Sequence, residues 1–291
     1  MKNMIRKYCD LHTHSYYSDG TMSPKELIQQ AEASGLSAVA LCDHNTIAGL
    51  PEFVDAGQKN AVEAVPGIEF STDYNGAELH LIMLFVKPED YGPIGDLLEG
   101  FRAEKEKSSI ELVRALNSEG FYVDYDTMKK KAPDGYINRA HVAAELTRMG
   151  YTGSIQEAFQ KLLKPGAGFY TPPKRPDFFE VVGFIKILGG ISVLAHPFLN
   201  LTPAALAELL PQAAAHGLDA METMYSLYDN EMTQMSRVLA AGASLLESGG
   251  SDFHGSNKPG IQLGRGNGNL HIPTEMFLRL KGENKKKLLS L

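Results

Sequence analysis

Short apolar runs rich in β-forming residues alternate with helical patterns along the first 70 residues of the chain. KYCDLHTHS, SAVALCDH and AVEAVPGIEF have the pattern of strands, whereas SPKELIQQAEASG and residues 47–59 have that of helices. Ser23, Pro24 and Glu26 form the start signal of the first helix, and Gly35 supplies its stop. The alternation predicts βαβ units with parallel strands, and GAELHLIMLFV after the turn-like DYNG predicts a hairpin strand.

The pattern changes from about Pro93 to Pro173, where helical segments follow one another with no convincing strand between them. Alternation of strands and helices resumes afterwards with ISVLAHP, LDAMETMY and ASLLESGGSDFH. A chain of 291 residues is long enough for one large α/β barrel with an insertion. We therefore predict an α/β fold in which residues 1–92 and 176–291 form the barrel and residues 93–175 form an inserted helical subdomain.

Titratable side chains collect at the ends of the predicted strands. His12 and His14 are two residues apart, so in a strand both side chains point to the same side. The carboxyl ends of parallel strands meet at one rim, where barrels carry their chemistry. The candidate metal ligands at this rim are His12, His14, Asp19, His44, Glu69, His80, His196, Asp252 and His254. Imidazole with carboxylate is a ligand set for Zn²⁺, Mn²⁺ or Fe, and burying so many titratable groups without metal would be costly.

Two of these positions need separate treatment. His80 begins its apolar run instead of ending it, which suits a strand that runs back toward the rim. Asp43 and His44 are adjacent and face opposite ways in an extended chain. We assign His44 to a metal, and Asp43 either to a hydrogen bond that supports the ligands or to contact with the substrate. Any single histidine here would ordinarily be a packed residue with one hydrogen bond, so the prediction depends on the whole set.

Charge and composition limit the classes of partner. The formal net charge of −7 argues against a surface for long nucleic acid or membrane, since such surfaces need excess Lys and Arg. The two cysteines, Cys9 and Cys42, lie inside predicted strands, which favours buried reduced thiols over a disulfide. The start, MKNMIRKYCD, lacks the apolar run of a secretory signal, so we expect a cytoplasmic protein. No obligate protein partner is evident from the sequence.

The motifs HTH, SDG, CDH, PGIE, ELH, AHP and SDFH, in this order between residues 10 and 254, resemble the PHP (polymerase and histidinol phosphatase) family. The resemblance implies a distorted (β/α)7 barrel that holds three divalent metal ions. One metal would be held by His12, His14, Glu69 and Asp252. A second would be held by His80 and His196, with Glu69 bridging to it. The third would be held by Asp19, His44 and His254.

The helical insertion is similar to that of bacterial PHP phosphatases of nucleotides and related 5′-end exoribonucleases. Its segment NRAHVA resembles one whose Arg and His meet the substrate phosphate, which implies substrate roles for Arg139 and His141. A solvated helix face is the competing interpretation of this segment, although Asn138 could cap a helix whose N-terminus attracts an anion. We take Arg139 as the candidate for charge stabilisation, and Asp19 or His254 as the group nearest the leaving oxygen.

The predicted activity is hydrolysis of a phosphomonoester, with hydroxide held by the metals as nucleophile. The expected substrate is a 5′-mononucleotide, a 3′,5′-bisphosphate nucleotide or the 5′ end of a short oligonucleotide. Alternatives are a histidinol-phosphate phosphatase, a non-catalytic metal-binding PHP domain and a nucleic-acid-binding module; the acidic charge weakens the last. METMYSLYDNE departs from the family pattern, which often has a further histidine or asparagine there, and this affects the substrate assignment most.

Overall fold

The strands of the protein form one sheet that curves into a nearly closed barrel, in a computed structural model that describes residues 7–132 and 137–290. The strands are β1 (Tyr8–Thr13), β2 (Ala38–Leu41), β3 (Glu63–Tyr74), β4 (Ala77–Leu84), β5 (Ile191–Leu194), β6 (Ala220–Tyr225), β7 (Leu246–Gly250) and β8 (Ile272–Pro273). Their spatial order is β7-β6-β5-β4-β3-β2-β1-β8. The described residues do not include 1–6, 133–136 and 291. Part of the predicted domain ranges falls on these positions.

The seam of the barrel lies between β1 and the residues that follow β7. There the backbone N–H of Asp252 donates to the carbonyl of His12, and that of His14 donates to Phe253, both at 2.9 Å. β8 has only two residues and pairs antiparallel with β1 beside this seam. The predicted distorted barrel is therefore confirmed, and the short β8 is an addition to the seven strands that the family resemblance implied.

The direction of the strands brings their carboxyl ends to one rim. β1, β2 and β3 are parallel to one another, as are β5, β6 and β7. Only β4 among these runs the other way, because it forms a hairpin with β3 across the pair Tyr74 and Ala77. His80 on β4 consequently lies beside Ser71 of β3, at the same end as the other ligand candidates. The predicted hairpin and the reversed strand are both confirmed.

Successive residues of each strand divide between two apolar layers, as the twofold period of a strand requires. Ala38 and Ala40 of β2 face the inside of the barrel, whereas Val39 and Leu41 pack against the surrounding helices. These helices are α1 (Pro24–Ala33), α2 (Leu50–Gln58), α7 (Phe178–Leu188), α8 (Pro203–His216) and α9 (Asn230–Gly242). The last helix, α10 (Thr274–Ser290), packs instead against the inner layer through Met276, Phe277 and Leu280. Ser23 and Glu26 form the predicted capping box of α1. Cys9 and Cys42 are buried in the inner layer as free thiols.

The insertion between β4 and α7 has an apolar core of its own. It contains α3 (Tyr91–Ser118), α4 (Tyr125–Lys131), α5 (Arg139–Arg148) and α6 (Ile155–Ala158), followed by a π-helical turn at Phe159–Leu163. The first part of α3 packs into the barrel through Ile94 and Leu98, whereas Leu112 and Leu116 belong to the core of the insertion. The division into residues 1–92, 93–175 and 176–291 stays a prediction. Among the described helices, none has the length and apolar character needed to cross a membrane.

Candidate active site

The predicted metal ligands come together at the rim formed by the carboxyl ends of the parallel strands. Each approaches at least one other member of the set within 4 Å, although they come from segments that span most of the chain. His12, His14 and Glu69 are completely buried, whereas Asp19, His44 and His80 retain 16–18% exposure of their side chains. The set thus has a closed inner part and an outer part that solvent reaches. We call these residues the histidine–carboxylate cluster.

The inner part of the cluster is built by β1, β3 and the turn after β7. The Nε2 atoms of His12 and His14 are 3.0 Å apart, and they lie 3.3 and 3.4 Å from Glu69 Oε2. Asp252 Oδ1 is 3.2 Å from His14 Nε2 and 3.9 Å from His12 Nε2. These four side chains are the ones that the family resemblance assigned to one metal, and the donor atoms of His12, His14 and Glu69 lie within 4.8 Å of one another.

Glu69 connects this group to the next. Its Oε1 atom lies 2.9 Å from His80 Nδ1 and 3.1 Å from His196 Nε2, while Oε2 lies 2.9 Å from His44 Nδ1. Burial alone would raise the pKa of Glu69, but the surrounding imidazoles, His44 foremost, hold this pKa well below its ordinary value. The carboxylate is therefore ionised and lies between His12 and His14 on one side and His80 and His196 on the other, which is the position that the predicted bridge between two metals requires.

Asp19 forms the centre of the outer group. Its Oδ1 atom is 3.1 Å from His254 Nε2 and 3.8 Å from His14 Nδ1, and its Oδ2 atom is 3.8 Å from His44 Nε2. Burial would raise the pKa of Asp19, and the nearby His254 and His44 lower it well below the usual range. The structure adds His14 to the predicted third set, because its second ring nitrogen points at Asp19 while the first faces Glu69.

The chemistry of the cluster fits divalent metal ions. Among the described residues, four buried side-chain nitrogen or oxygen atoms have no hydrogen-bond partner, and three of these are His14 Nδ1, His44 Nδ1 and Glu69 Oε2. The last two atoms are 2.9 Å apart but are not aligned for a hydrogen bond. Buried polar atoms without partners are rare in native proteins, and unfilled ligand positions are one cause. Nitrogen and carboxylate donors without cysteine suit Zn²⁺, Mn²⁺ or Fe. The residues present could therefore hold metal in every one of the three groups.

A carboxylate that was not predicted from the sequence supports the cluster from behind. Glu222 on β6 is fully buried, and its Oε1 atom lies 3.0 Å from His12 Nδ1. Its Oε2 atom accepts a hydrogen bond from the backbone N–H of His196 at 2.7 Å. A carboxylate on the far nitrogen of a histidine fixes the orientation of the ring toward a metal. The signal was present as a charged residue inside the buried strand AMETMY, in the stretch that departs from the family pattern.

Two further side chains hold Asp252 in place. Its Oδ2 atom accepts hydrogen bonds from Tyr225 Oη at 2.8 Å and from Lys258 Nζ at 2.6 Å, which leaves Oδ1 to face His14. Burial would raise the pKa of Asp252, but Lys258 and His254 keep this pKa well below its ordinary value. Neither Tyr225 nor Lys258 carries a motif, so only the contact across strands reveals their role.

Asp43 points away from His44, as predicted for adjacent residues of an extended chain, and lies behind the loop that carries His14 and Asp19. It is buried, and its Oδ1 atom accepts hydrogen bonds from the Ser15 backbone N–H and the Ser18 hydroxyl, both at 2.7 Å. Its Oδ2 atom accepts from the Ser15 hydroxyl at 2.6 Å. Of the two roles considered for Asp43, these contacts favour the hydrogen bond that supports the ligands.

A cavity of about 130 Å³ lies between the rim and the insertion, and we call it the cationic cavity. Its wall includes Asp19, His44 and His80 of the cluster, together with Lys105 of α3, Arg139 of α5 and Arg175. Arg139 stacks on Tyr170, with the guanidinium carbon 4.4 Å from the ring centre. Glu78 accepts a hydrogen bond from Arg175 at 2.6 Å and lies 3.7 Å from Arg139. Positive side chains therefore line this cavity beside the cluster.

The predicted substrate residues Arg139 and His141 are placed differently. Arg139 reaches the wall of the cationic cavity, whereas His141 closes the capping box at the start of α5. The backbone N–H of Asn138 donates to His141 Nδ1 at 3.2 Å, and the Asn138 side chain accepts from the His141 N–H at 3.0 Å. Arg175 was not predicted; its side chain is 8% exposed and its Nε atom has no hydrogen-bond partner.

Comparison with known proteins gives the chain a family. The PHP domain profile matches residues 10–164. A protein of Haemophilus influenzae named 5′-3′ exoribonuclease is 34% identical over 252 residues, which are 86% of this chain and 91% of that protein. The 3′,5′-nucleoside bisphosphate phosphatase of Chromobacterium violaceum is 28% identical over 88% of this chain and 90% of its own length.

The fold leads to the same family. A solved structure from Bifidobacterium adolescentis, assigned by prediction as a metal-dependent phosphoesterase, superposes with a TM-score of 0.85 at 28% identity. The superposition covers 94% of this chain and 96% of that one. The profile match spans more than half of the sequence and includes the HTH, SDG, CDH, PGIE and ELH motifs of the cluster. With the family resemblance thus confirmed, the chain belongs to the PHP domain family.

Proposed function

We propose that this phosphoesterase of the PHP family hydrolyses a phosphate ester of a nucleotide that carries a further phosphate group. The observation that carries the proposal is the cationic cavity, which places Lys105, Arg139 and Arg175 beside the histidine–carboxylate cluster. With one phosphate at the cluster, we expect this wall, in which Arg175 is paired with Glu78, to bind a second anionic group on the same substrate. Relatives named as an exoribonuclease and as a bisphosphate phosphatase support a nucleotide of this kind.

The cluster would hold three divalent ions in the sets that the family resemblance implies, with Zn²⁺, Mn²⁺ and Fe as the candidates. Such ions, when bound, supply positive charge to the phosphoryl oxygens and lower the pKa of water to near neutrality. The work of the chain is to fix the donors. Glu222 holds the His12 ring, Tyr225 and Lys258 hold Asp252, and Asp43 holds the loop that carries His14.

The substrate would be held and oriented by the walls of the cationic cavity. Arg139 and Arg175 would contact the second phosphate, because their guanidinium groups line the cavity and offer bidentate hydrogen bonds. Tyr170 fixes the plane of Arg139 by stacking, so the arginine loses less freedom when it binds. Asp19 lines the cavity whereas His254 is buried behind it, so Asp19 is the better placed of the two near the leaving oxygen.

Phosphate or nucleotide release by purified, metal-analysed protein tests the proposal. The substrates are adenosine 3′,5′-bisphosphate, adenosine 5′-monophosphate, a short 5′-phosphorylated RNA and histidinol phosphate. We expect the bisphosphate or the RNA to be used best, and Arg139→Ala to raise KM for it at least about tenfold. Arg148→Ala is the matched control, since Arg148 is an exposed arginine of the same helix that pairs with Glu145.

Two outcomes would contradict the proposal. Histidinol phosphate as the only good substrate would make the nucleotide assignment wrong and favour the histidinol-phosphate phosphatase alternative. Protein that binds metal stoichiometrically but releases nothing from any of these substrates would favour the non-catalytic alternative.

A further inference from the structure

A second and larger cavity lies on the other side of Phe159. Its volume is about 650 Å³, and its wall includes Ile155, Tyr225, Leu227, Lys258 and Ile261. We call it the apolar chamber. Phe159, at the start of the π-helical turn, lines both the chamber and the cationic cavity. The chamber also reaches Asp252 of the histidine–carboxylate cluster, whereas the cationic cavity reaches Asp19, His44 and His80. The cluster is thus bordered by a different cavity at each of two edges.

The chemistry of the two cavities is different. The cationic cavity has three positively charged side chains in its wall. The wall of the apolar chamber includes the rings of Phe159 and Tyr225 and aliphatic side chains such as Leu227, which is 57% exposed. Polar side chains, among them Gln156 and Asn257, complete this wall. Its one cation among the lining residues is Lys258, which is held at the inner end by Asp252 at 2.6 Å. Aromatic and aliphatic walls suit the faces of a nucleobase, since any base can stack on an aromatic ring.

Two cavities beside the cluster suit a phosphodiester better than a phosphomonoester. A phosphomonoester has one organic group, so a single cavity beside the cluster would serve it. A phosphodiester has two organic groups, one on each side of the phosphorus. A volume of about 650 Å³ is within the usual range of small-ligand pockets and is ample for a nucleoside. Lys258 lies at the inner end of the chamber, where the phosphate attached to that nucleoside would lie.

Resting on the proposed function, we propose that the apolar chamber binds the nucleoside on the 3′ side of a scissile phosphodiester in a short oligonucleotide. The terminal nucleotide would place its 5′-phosphate in the cationic cavity. Water attacks phosphorus, the bond from phosphorus to the 3′ oxygen of the terminal nucleotide breaks, and that oxygen takes a proton. The products are a 5′-mononucleotide with a free 3′ hydroxyl and a shortened strand with a 5′-phosphate. The same bond breaks when a 3′-phosphate is removed from a bisphosphate, so one leaving-group position serves both.

Filling the chamber tests the assignment. Gly260 lines it, and a Cβ atom there would meet no other atom within 4 Å, so Gly260→Trp adds bulk without a backbone clash. Leu227→Asp is an independent second variant, because it places a negative charge where the downstream nucleotide would lie. Gly242→Trp is the matched control, since Gly242 on α9 is equally open and does not line the chamber.

The readout is kcat/KM on two substrates with the same terminal nucleotide: adenosine 3′,5′-bisphosphate and the dinucleotide pApA. We expect Gly260→Trp and Leu227→Asp to lower kcat/KM for pApA about tenfold or more, and to change that for the bisphosphate less than about twofold. Equal loss on both substrates, or on neither, would overturn the chamber assignment and leave the proposed function standing. Wild-type protein that cleaves the bisphosphate but not pApA would also overturn the chamber assignment without affecting the proposed function. Failure of wild-type protein on both substrates would instead remove the proposed function itself.

Discussion

Replacing Glu222 by glutamine tests how far the cluster depends on support from behind. Glu222 uses its two oxygens separately, one toward His12 Nδ1 at 3.0 Å and one for the backbone N–H of His196 at 2.7 Å. Glutamine has the same shape but only one oxygen. Whichever donor receives that oxygen, the other faces an NH₂ group in a fully buried position.

The expected magnitude follows from these two contacts. A buried donor left without an acceptor costs about 1–3 kcal/mol. Loss of the partner that orients a metal-binding histidine typically lowers metal affinity about 10–100-fold. We therefore expect Glu222→Gln to bind Zn²⁺ or Mn²⁺ about 10–100-fold more weakly, and the free energy of unfolding without metal to fall by about 1–3 kcal/mol.

Metal affinity is measured by competition with a chromophoric chelator, and unfolding by urea titration of the metal-free protein. Glu247→Gln is the control, because Glu247 is 38% exposed on the neighbouring strand and pairs with Arg237. We expect the control to change metal affinity less than about twofold. A Glu222→Gln protein with wild-type metal affinity would refute the reasoning, even if it unfolded more easily, because Glu222 would then serve packing alone.

Two further predictions concern the cluster itself. His14→Ala should lose bound metal and phosphoesterase turnover together, because both ring nitrogens of His14 face carboxylates of the cluster; metal analysis beside a turnover assay measures this. His271→Ala should leave both unchanged, since His271 is exposed, and equal turnover by the two variants would defeat the metal assignment. Removing metal with a chelator should lower the thermal unfolding midpoint by several degrees, and restoring Mn²⁺ or Zn²⁺ should raise it again. A midpoint that does not respond to metal would contradict the role of the unpartnered atoms His14 Nδ1 and Glu69 Oε2.

Most of the ligand candidates could be found from the sequence because they end or begin an apolar run, whereas Asp19 lies in the SDG turn. His196 and Asp252 follow this rule, and the reversed position of His80 after the turn-like DYNG suited the strand direction that β4 has. The strands could be predicted for the same reason, since their period of two divides residues such as Ala38 and Val39 between the two apolar layers.

The supporting residues could not be predicted in the same way. Glu222 lies 210 residues from His12 along the chain, and Tyr225 and Lys258 approach Asp252 only when β6 and β7 are side by side. No local spacing encodes such contacts. The shapes of the two cavities depend on how the insertion packs over the rim, and Phe159 lies in a π-helical turn that propensity does not indicate. The substrate role of His141 stays a prediction, and in the structure this residue closes the capping box at the start of α5.

α3 has a mechanical consequence for the protein. It is one unbroken helix of 28 residues, about 42 Å long, with its first turns anchored in the barrel and its last turns in the insertion. Lys105 lies midway along this rod, over the gap between the two anchor points. A slight bend of the rod would widen or narrow the gap while leaving the cage of ligands undisturbed. We therefore expect residues on α3 that touch neither metal nor phosphate to influence the size of the accepted substrate.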